Sequence, residues 1–445
     1  MKQNRIFHQF FKYVSLNVLG MIGLSCYILA DTFFISKSLG AAGLTALNFS
    51  IPVYCVINAT GLMAGIGGAT RCALIRSGEG KNADAVFTQT LCLALGAGLA
   101  FAAAGLFLAR PIAVLMGADS TSLELTCDYL RTILLFSPFF ILNNVLIAFA
   151  RNDNAPKRAM TAMLTGSFSN ILLDYIFMFP LSMGMFGAAL ATCVAPILSI
   201  LILLPHFIGK QPHLRVVKFK PSLKAIPAIL SPGLSAFITE ISAGAVMTAF
   251  NLMILRLAGS VGVAAYGVVI NAALVCTSVF TGIAQGIQPL ISRTYAEQKT
   301  GALRKTLFYA LTVSVLFSAA VYAFVFLRTD TVIMLFNSEG NEQLRLIALR
   351  GFRIYFAGFF FAGINTLIAS FLSACDRAAG GLTINMLRGF LLILPLALLF
   401  ASFWGMDGIW LSFLASEAAA AVLSAILYKK YNRPAERFST PEAAQ

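Results

Sequence analysis

The sequence predicts an all-α membrane protein: twelve transmembrane helices in two six-helix lobes related by a pseudo-two-fold axis along the membrane normal. Three observations carry this expectation. The chain of 445 residues is 59% hydrophobic and only 11% charged, with a mean hydropathy of +0.84, whereas ordinary globular domains carry about a quarter charged residues. Apolar runs long enough to cross about 30 Å of hydrocarbon recur along the whole chain. Segments of the first half reappear, in order, in the second.

In chain order the spans are expected to begin near Phe11, Ala46, Val86, Arg131, Ala159, Gly184, Ile226, Val261, Lys305, Arg350, Gly381 and Gly408. The first is of spanning length and lacks an A-x-A-like end, so it stays in the membrane and is not cleaved as a signal peptide. The second holds "GLMAGIGGAT" (61–70), in which Gly61 and Gly65 have the small-xxx-small spacing of helix packing. The fourth carries "FFILNNVLIA" (139–148), and the fifth "NILLDYIFMF" (170–179) with an amide and a carboxylate among apolar residues. The seventh contains "LSAFITEISAG", the eleventh Arg388 and the twelfth Glu417. Spans 46–75 and 226–257 contain Gly and Pro and are long enough to tilt or kink.

Basic residues set the orientation. With "MKQNRIFHQFFK" inside, most of the 32 Lys and Arg fall on the inner side, so the chain is expected to lie in the cell (inner) membrane as a multi-pass protein with both termini cytoplasmic. The expected organisation is a lobe over 1–208, a basic cytoplasmic linker over 209–224, a lobe over 225–430 and a disordered cytoplasmic tail over 431–445. The net charge of +14 reflects this bias, with affinity for anionic lipid as a second consequence. The basic residues are spread over many loops, which argues against a nucleic-acid partner.

The repeat is specific at three places. "FFILNNVLIA" (139–148) aligns with "FFAGINTLIA" (360–369) at both Phe, at Asn144 and Asn365, and at Leu-Ile-Ala. "MGMFGAALAT" (183–192) aligns with "WGMDGIWLSF" (404–413), and "GAAGLTALNFSI" (40–51) with "GSVGVAAYGVVI" (259–270). Six spans per half return the chain to the same side, so the halves are parallel repeats, an arrangement typical of carriers that rock two lobes around a central site.

Of the 18 acidic residues, Asp31, Asp174, Glu240 and Glu417 fall inside spans. Each costs at least about 3 kcal/mol unpaired and so requires a partner, a proton or water. At about 1.5 Å per residue, Asp31, Asp174 and Thr192 lie roughly 8–12 Å below the outer surface. Asn170 shares the helix face of Asp174, one turn deeper. Two carboxylates, an amide and a hydroxyl make a hard-oxygen site. It either holds Na⁺ or shares a proton, since two close carboxylates in low dielectric do not both ionise cheaply. The plainer alternative is that Asn170 and Asp174 only hydrogen-bond span five to its neighbours.

The stretches "ADTFFISKSLGAAGLTALNFSIP" (30–52), "ARNDNAPKRAM" (150–160), "SNILLDYIFMFPLSMGMFGAALAT" (169–192) and "FFFAGINTLIASFLSA" (359–374) resemble the prokaryotic multidrug and toxic compound extrusion (MATE) family through all twelve spans. The resemblance implies a first-lobe cation site built from an Asp on the first helix, an Asn and Asp four apart on the fifth and a Thr on the sixth: Asp31, Asn170, Asp174 and Thr192. It also implies a functional glutamate on the seventh helix, at Glu240, which either neutralises a cationic substrate or shares in coupling; packing is the alternative. One branch, the NorM type, adds an Asp on the tenth helix, where this chain reads "AGFFFAGIN" without an acid. That departure argues against a second-lobe Na⁺ site. Arg388 and Glu417, on adjacent antiparallel spans, are expected to form a structural ion pair.

Other signals are weaker. "GEGKN" (78–82) lacks the upstream Gly and final Ser/Thr of a P-loop. His8, His206 and His213 are isolated, giving no support to a metal centre or a triad. The eight Cys stand singly, as thiols rather than a disulfide framework. The expected function is not enzymatic: the family resemblance implies a secondary active antiporter without cofactors, exporting cationic or amphipathic compounds in exchange for H⁺ or Na⁺ by alternating access. Its partners are expected to be small molecules and the lipid bilayer, and the family resemblance implies a monomer. The 38 Phe and 14 Met supply apolar surface for varied ligands. The competing reading is a flippase for a lipid-linked substrate of the same wider superfamily, which calls for a basic cavity.

Overall fold

The computed structural model describes residues 2–77, 83–118, 122–208, 214–218, 222–336 and 341–431. The "GEGKN" segment through Asn82, His213, most of the basic linker and the tail beyond Tyr431 lie outside the described residues. Helices account for almost all of the described residues, because a chain in hydrocarbon must satisfy its backbone polar groups internally.

The helices form twelve spans. α1 is Ile6–Gly40, α2 Ala42–Arg76 and α3 Ala83–Leu115. α4 is a bent pair, Leu123–Leu135 and Ser137–Asn152, with a 49° break at Phe136. α5 is Pro156–Met178, whose 23 residues reach about 34 Å, and α6 is Gly184–Ile208. The second lobe repeats the pattern with α7 (Leu223–Gly259), α8 (Val261–Ala296) and α9 (Thr300–Met334). α10 is again a bent pair, Glu342–Ala357 and Phe359–Ala374, at 41°. The helical stretch Ala378–Lys430 is divided at Gly405 into α11 before it and α12 after it.

The turns show the repeat in the backbone. Gly40 (φ 59°, ψ −147°) ends α1 and Gly259 (φ 62°, ψ −159°) ends α7, and the two are the first residues of an aligned segment pair. Gly184 (φ 57°) and Gly405 (φ 55°) occupy matched positions of another. The φ and ψ of Gly40 and Gly259 together fall in a region that essentially only glycine adopts.

Each lobe has its own apolar core. In the first, Ile35, Ile57, Leu130, Ile141 and Phe149 are fully enclosed; in the second, Phe250, Phe352, Ile409 and Trp410 are. A third core joins the lobes: Phe10, Tyr13 and Val14 of α1 pack with Ile283 and Ile287 of α8. The contact is close, since a Cβ at Gly282 would lie 2.7 Å from Val18 Cα, and one at Gly286 2.9 Å from Val14 Cα. The Gly61 and Gly65 faces of α2 meet α4 at Asn144 and Val145 in the same way, so "GLMAGIGGAT" is a packing stripe. The periphery is apolar, with Phe107 79% and Leu327 76% exposed, as suits a surface solvated by lipid. All eight cysteines are free, with Cys26 and Cys92 on the exposed surface.

Candidate functional site

α5 and α6 bring Asn170, Asp174 and Thr192 into one cluster within the first lobe. Asn170 and Asp174 are fully enclosed, while Thr192 and Asp31 are nearly so. One turn apart on α5, Asn170 and Asp174 face the same way. The Thr192 backbone N–H can only donate, so it orients the Asn170 amide. The amide oxygen then accepts from Thr192 N at 3.2 Å and from Thr192 Oγ1 at 3.3 Å, and its nitrogen donates to Asp174 Oδ2 at 3.0 Å.

Asp31 enters from α1, nine residues before Gly40 and so about 13 Å along the helix from that end. This is deeper than the sequence estimate, because α1 runs to Gly40. Asp31 joins the cluster by charge: its carboxylate and that of Asp174 interact electrostatically. Asp31 Oδ1 and Asp174 Oδ1 are both enclosed, and among the described residues neither has a hydrogen-bond donor. Two undonated acceptor oxygens in an apolar surround call for a proton, a cation or water upon them. Beyond the two carboxylates the available ligands are an amide and a hydroxyl, and among the described residues no three His, Cys, Asp or Glu side chains gather. The donor set fits a hard monovalent ion or a shared proton.

Two tyrosines missed by the sequence reading, Tyr27 and Tyr129, lie by this cluster, and a third, Tyr54, adjoins Tyr27. Tyr27 and Tyr54 share a hydrogen bond of 3.2 Å. Tyr27 lies within electrostatic reach of Asp31, Asp174 and Glu240, and the buried Tyr129 within reach of both aspartates. A search limited to carboxylates passes over phenols, which are cheap to bury and gain their meaning from neighbours on other helices.

Glu240 does not join the first-lobe cluster. It sits on α7, half-buried, where Asn58 Nδ2 of α2 donates to its Oε1 at 2.8 Å. Asn144 Nδ2 of α4 in turn donates to Asn58 Oδ1 at 2.8 Å.

Arg388 and Glu417 meet inside the second lobe. Arg388 Nε and Nη2 donate to Glu417 Oε1 at 2.9 and 2.7 Å, and Nη1 donates to Thr366 Oγ1 at 2.8 Å. Asn365 Nδ2 donates to Glu417 Oε2 at 2.8 Å, and Ser424 Oγ donates to Asn365 Oδ1 at 2.8 Å. Arg388 lies in a π-helical turn, Leu387–Leu391, a local widening that no sequence periodicity announced.

The two lobes are not chemically equivalent. Extending the 40–51 and 259–270 register back along the helices puts Phe250 opposite Asp31, and the 183–192 and 404–413 register puts Phe413 opposite Thr192. Phe250 packs at a tilt against Tyr266, Tyr266 stacks on Trp410, and Phe413 stacks on Tyr355 at 4.0 Å. An aromatic core thus fills the second-lobe counterpart of the carboxylate cluster.

On the side where the described helices begin and end, the lobes are tied together. The enclosed Arg151 donates to Asn17 Oδ1 at 3.0 Å and to Gln285 Oε1 across the interface. Arg293 of α8 donates to Asn154 Oδ1 at 3.0 Å and to the Asn152 carbonyl at 3.2 Å. Ser25 and Ser278 hydrogen-bond nearer mid-depth. The hydrogen bonds between the helices of the two lobes run from this side to mid-depth, at the levels of Ser25 and Asn58.

A family model described as MatE matches residues 18–176 and 236–399. The chain is 26% identical over 411 residues, 92% of its length and 90% of the relative's, to the multidrug export protein MepA of Staphylococcus haemolyticus. It is 24% identical over 405 residues, 90% of its length and 88% of the relative's, to MepA of Staphylococcus aureus. In three dimensions it is similar to a multidrug resistance MATE family transporter of the MOP superfamily in an outward-facing conformation. That match has a TM-score of 0.89 and 24% identity, with 95% of each chain covered.

Proposed function

The chain belongs to the MatE family, and from that membership we propose that it is a secondary active antiporter that exports cationic or amphipathic organic compounds in exchange for H⁺ or Na⁺. The carrying observation is the first-lobe cluster: Asn170 fixes Asp174 against Thr192, and Asp31 and Asp174 each keep one enclosed oxygen without a donor. That arrangement supports a coupling role for Asp31, Asn170, Asp174 and Thr192. Binding of the ion there favours the conformation with lower affinity for the exported compound, and release follows. Glu240, with its carboxylate between the lobes, is assigned to the cationic substrate. The Arg388–Glu417 pair is assigned to holding the second lobe, whose aromatic filling supports a single coupling site per chain.

We place the protein in the cell membrane as a monomer, with both termini cytoplasmic. In that orientation the tied side is the inner one, and the conformation is outward-facing. A flippase for a lipid-linked phosphate calls for free basic groups in the cavity, whereas the Arg388 guanidinium is committed to Glu417 and Thr366.

The test is ethidium efflux from proteoliposomes under an imposed ΔpH or ΔNa⁺, comparing the unmodified chain with Asp174→Asn. One gradient is expected to drive export, and Asp174→Asn to abolish that gradient's effect while ethidium still binds. If neither gradient moves any of several cationic dyes, the antiport reading fails.

A further inference from the structure

Asn58 is an amide in the middle of an apolar helix, and both ends of its side chain are engaged. Its oxygen accepts from Asn144 of the same lobe at 2.8 Å, and its nitrogen donates to Glu240 of the other lobe at 2.8 Å. The first bond settles the second: with the oxygen occupied by an N–H donor, the amide nitrogen must face α7. Asn144 is itself anchored, since its backbone and side chain lie against Gly61 and Gly65 of α2, where no side chain intervenes. The donor that meets Glu240 is therefore aimed by a rigid contact between α2 and α4.

The partner of Glu240 is neutral. A basic residue in that place would cancel the carboxylate charge; an amide orients it and leaves the charge in place. Only Oε1 is engaged: among the described residues no donor meets Oε2, and Oε2 is not among the enclosed oxygens. Tyr27, Tyr54 and Cys55 lie within electrostatic reach of Glu240, and none of the three supplies a positive charge. Beside it, Gly244 lies against Cys55, where a Cβ would be 3.5 Å from Sγ, so α7 and α2 remain in contact one turn farther along.

We propose that Asn58 is the positioning residue for cation recognition, orienting Glu240 Oε1 across the lobe interface so that Oε2 is presented to a monovalent organic cation. The inference rests on the assignment of Glu240 to the substrate and extends it. Because the bond crosses between lobes, Glu240 is held this way only while α2 and α7 are together at this level. A rotation that separates them breaks the Asn58–Glu240 hydrogen bond.

The experiment is a double-mutant cycle on purified protein, with tetraphenylphosphonium binding as the readout, in Asn58→Ala, Glu240→Gln and the double variant. Asn58→Ala is expected to weaken binding about tenfold in the unmodified background, the scale of one hydrogen bond to a charged group. It is expected to have no further effect once Glu240 is Gln. Asn144→Ala, which frees the Asn58 oxygen, is expected to weaken binding in the same Glu240-dependent way, and it serves in place of Asn58→Ala if that variant does not fold. If Glu240→Gln leaves binding intact, the substrate role of Glu240 is wrong and this inference falls with it. If Glu240→Gln weakens binding but Asn58→Ala does not, or acts equally in both backgrounds, Asn58 is a packing residue and only this inference is overturned.

Discussion

Arg388 and Glu417 show how one side chain's meaning depends on its partners. Buried in the second lobe, the Glu417 carboxylate accepts from the guanidinium through Oε1 and from Asn365 through Oε2. Removing the guanidinium leaves a carboxylate enclosed without its counter-charge, a change that costs about 3–5 kcal/mol. Arg388→Ala is therefore expected to lower the thermal midpoint of the detergent-solubilised protein sharply, while Arg388→Ala with Glu417→Leu recovers much of the loss. A near-neutral single variant would mean that Glu417 is readily protonated in place. Asp31 and Asp174 present the opposite case. Among the described residues no basic side chain is hydrogen-bonded or ion-paired to them, and Asp31 Oδ1 and Asp174 Oδ1 are enclosed without a donor.

At the scale of elements, some glycines shape turns, some admit close helix contacts and some merely occupy helices. Gly259 closes α7 at φ 62°, where a Cβ costs about 1–3 kcal/mol. Gly96 sits inside α3 with nothing within 4 Å of a built Cβ, where Ala relieves up to about 1 kcal/mol. Gly259→Ala is expected to destabilise the protein and Gly96→Ala to be neutral or stabilising, as read by thermal melts of the two variants side by side. The intramembrane acids were legible in the sequence because hydrocarbon makes each of them costly. Asn58, Tyr27, Tyr54 and Tyr129 were not, because amides and phenols carry a smaller penalty. What sets them apart is a partner on another helix. A rule that treats every mid-span amide as it treats acids would have found Asn58.

At the scale of the whole molecule, the lobes meet along α1 and α8 on the terminal side, and alternating access requires this seam to part. A Cβ at Gly282 would lie 2.7 Å from Val18 Cα, too close to backbone for any side chain there. Gly282→Ala is therefore expected to wedge this seam and to lower the thermal midpoint of the solubilised protein, whereas Gly301→Ala, where nothing lies within 4 Å of a built Cβ, is expected to leave it unchanged. An unshifted midpoint for Gly282→Ala would show that the lobes do not pack this closely along the line.

The sequence by itself determined the solvent, the number of spans, the two-fold repeat and which acids lie inside spans, since each follows from local composition and from the cost of charge in hydrocarbon. Only the tertiary structure decided which polar groups meet: Asn170 with Thr192, Asn58 with Glu240, and Arg388 with Glu417 and Thr366. It also decided that the repeat is chemically broken, with Phe250 and Phe413 filling the counterpart of the carboxylate cluster. The physical reason is that a hydrogen bond between helices depends on the rotation and depth of both, and these are set by packing over the entire lobe.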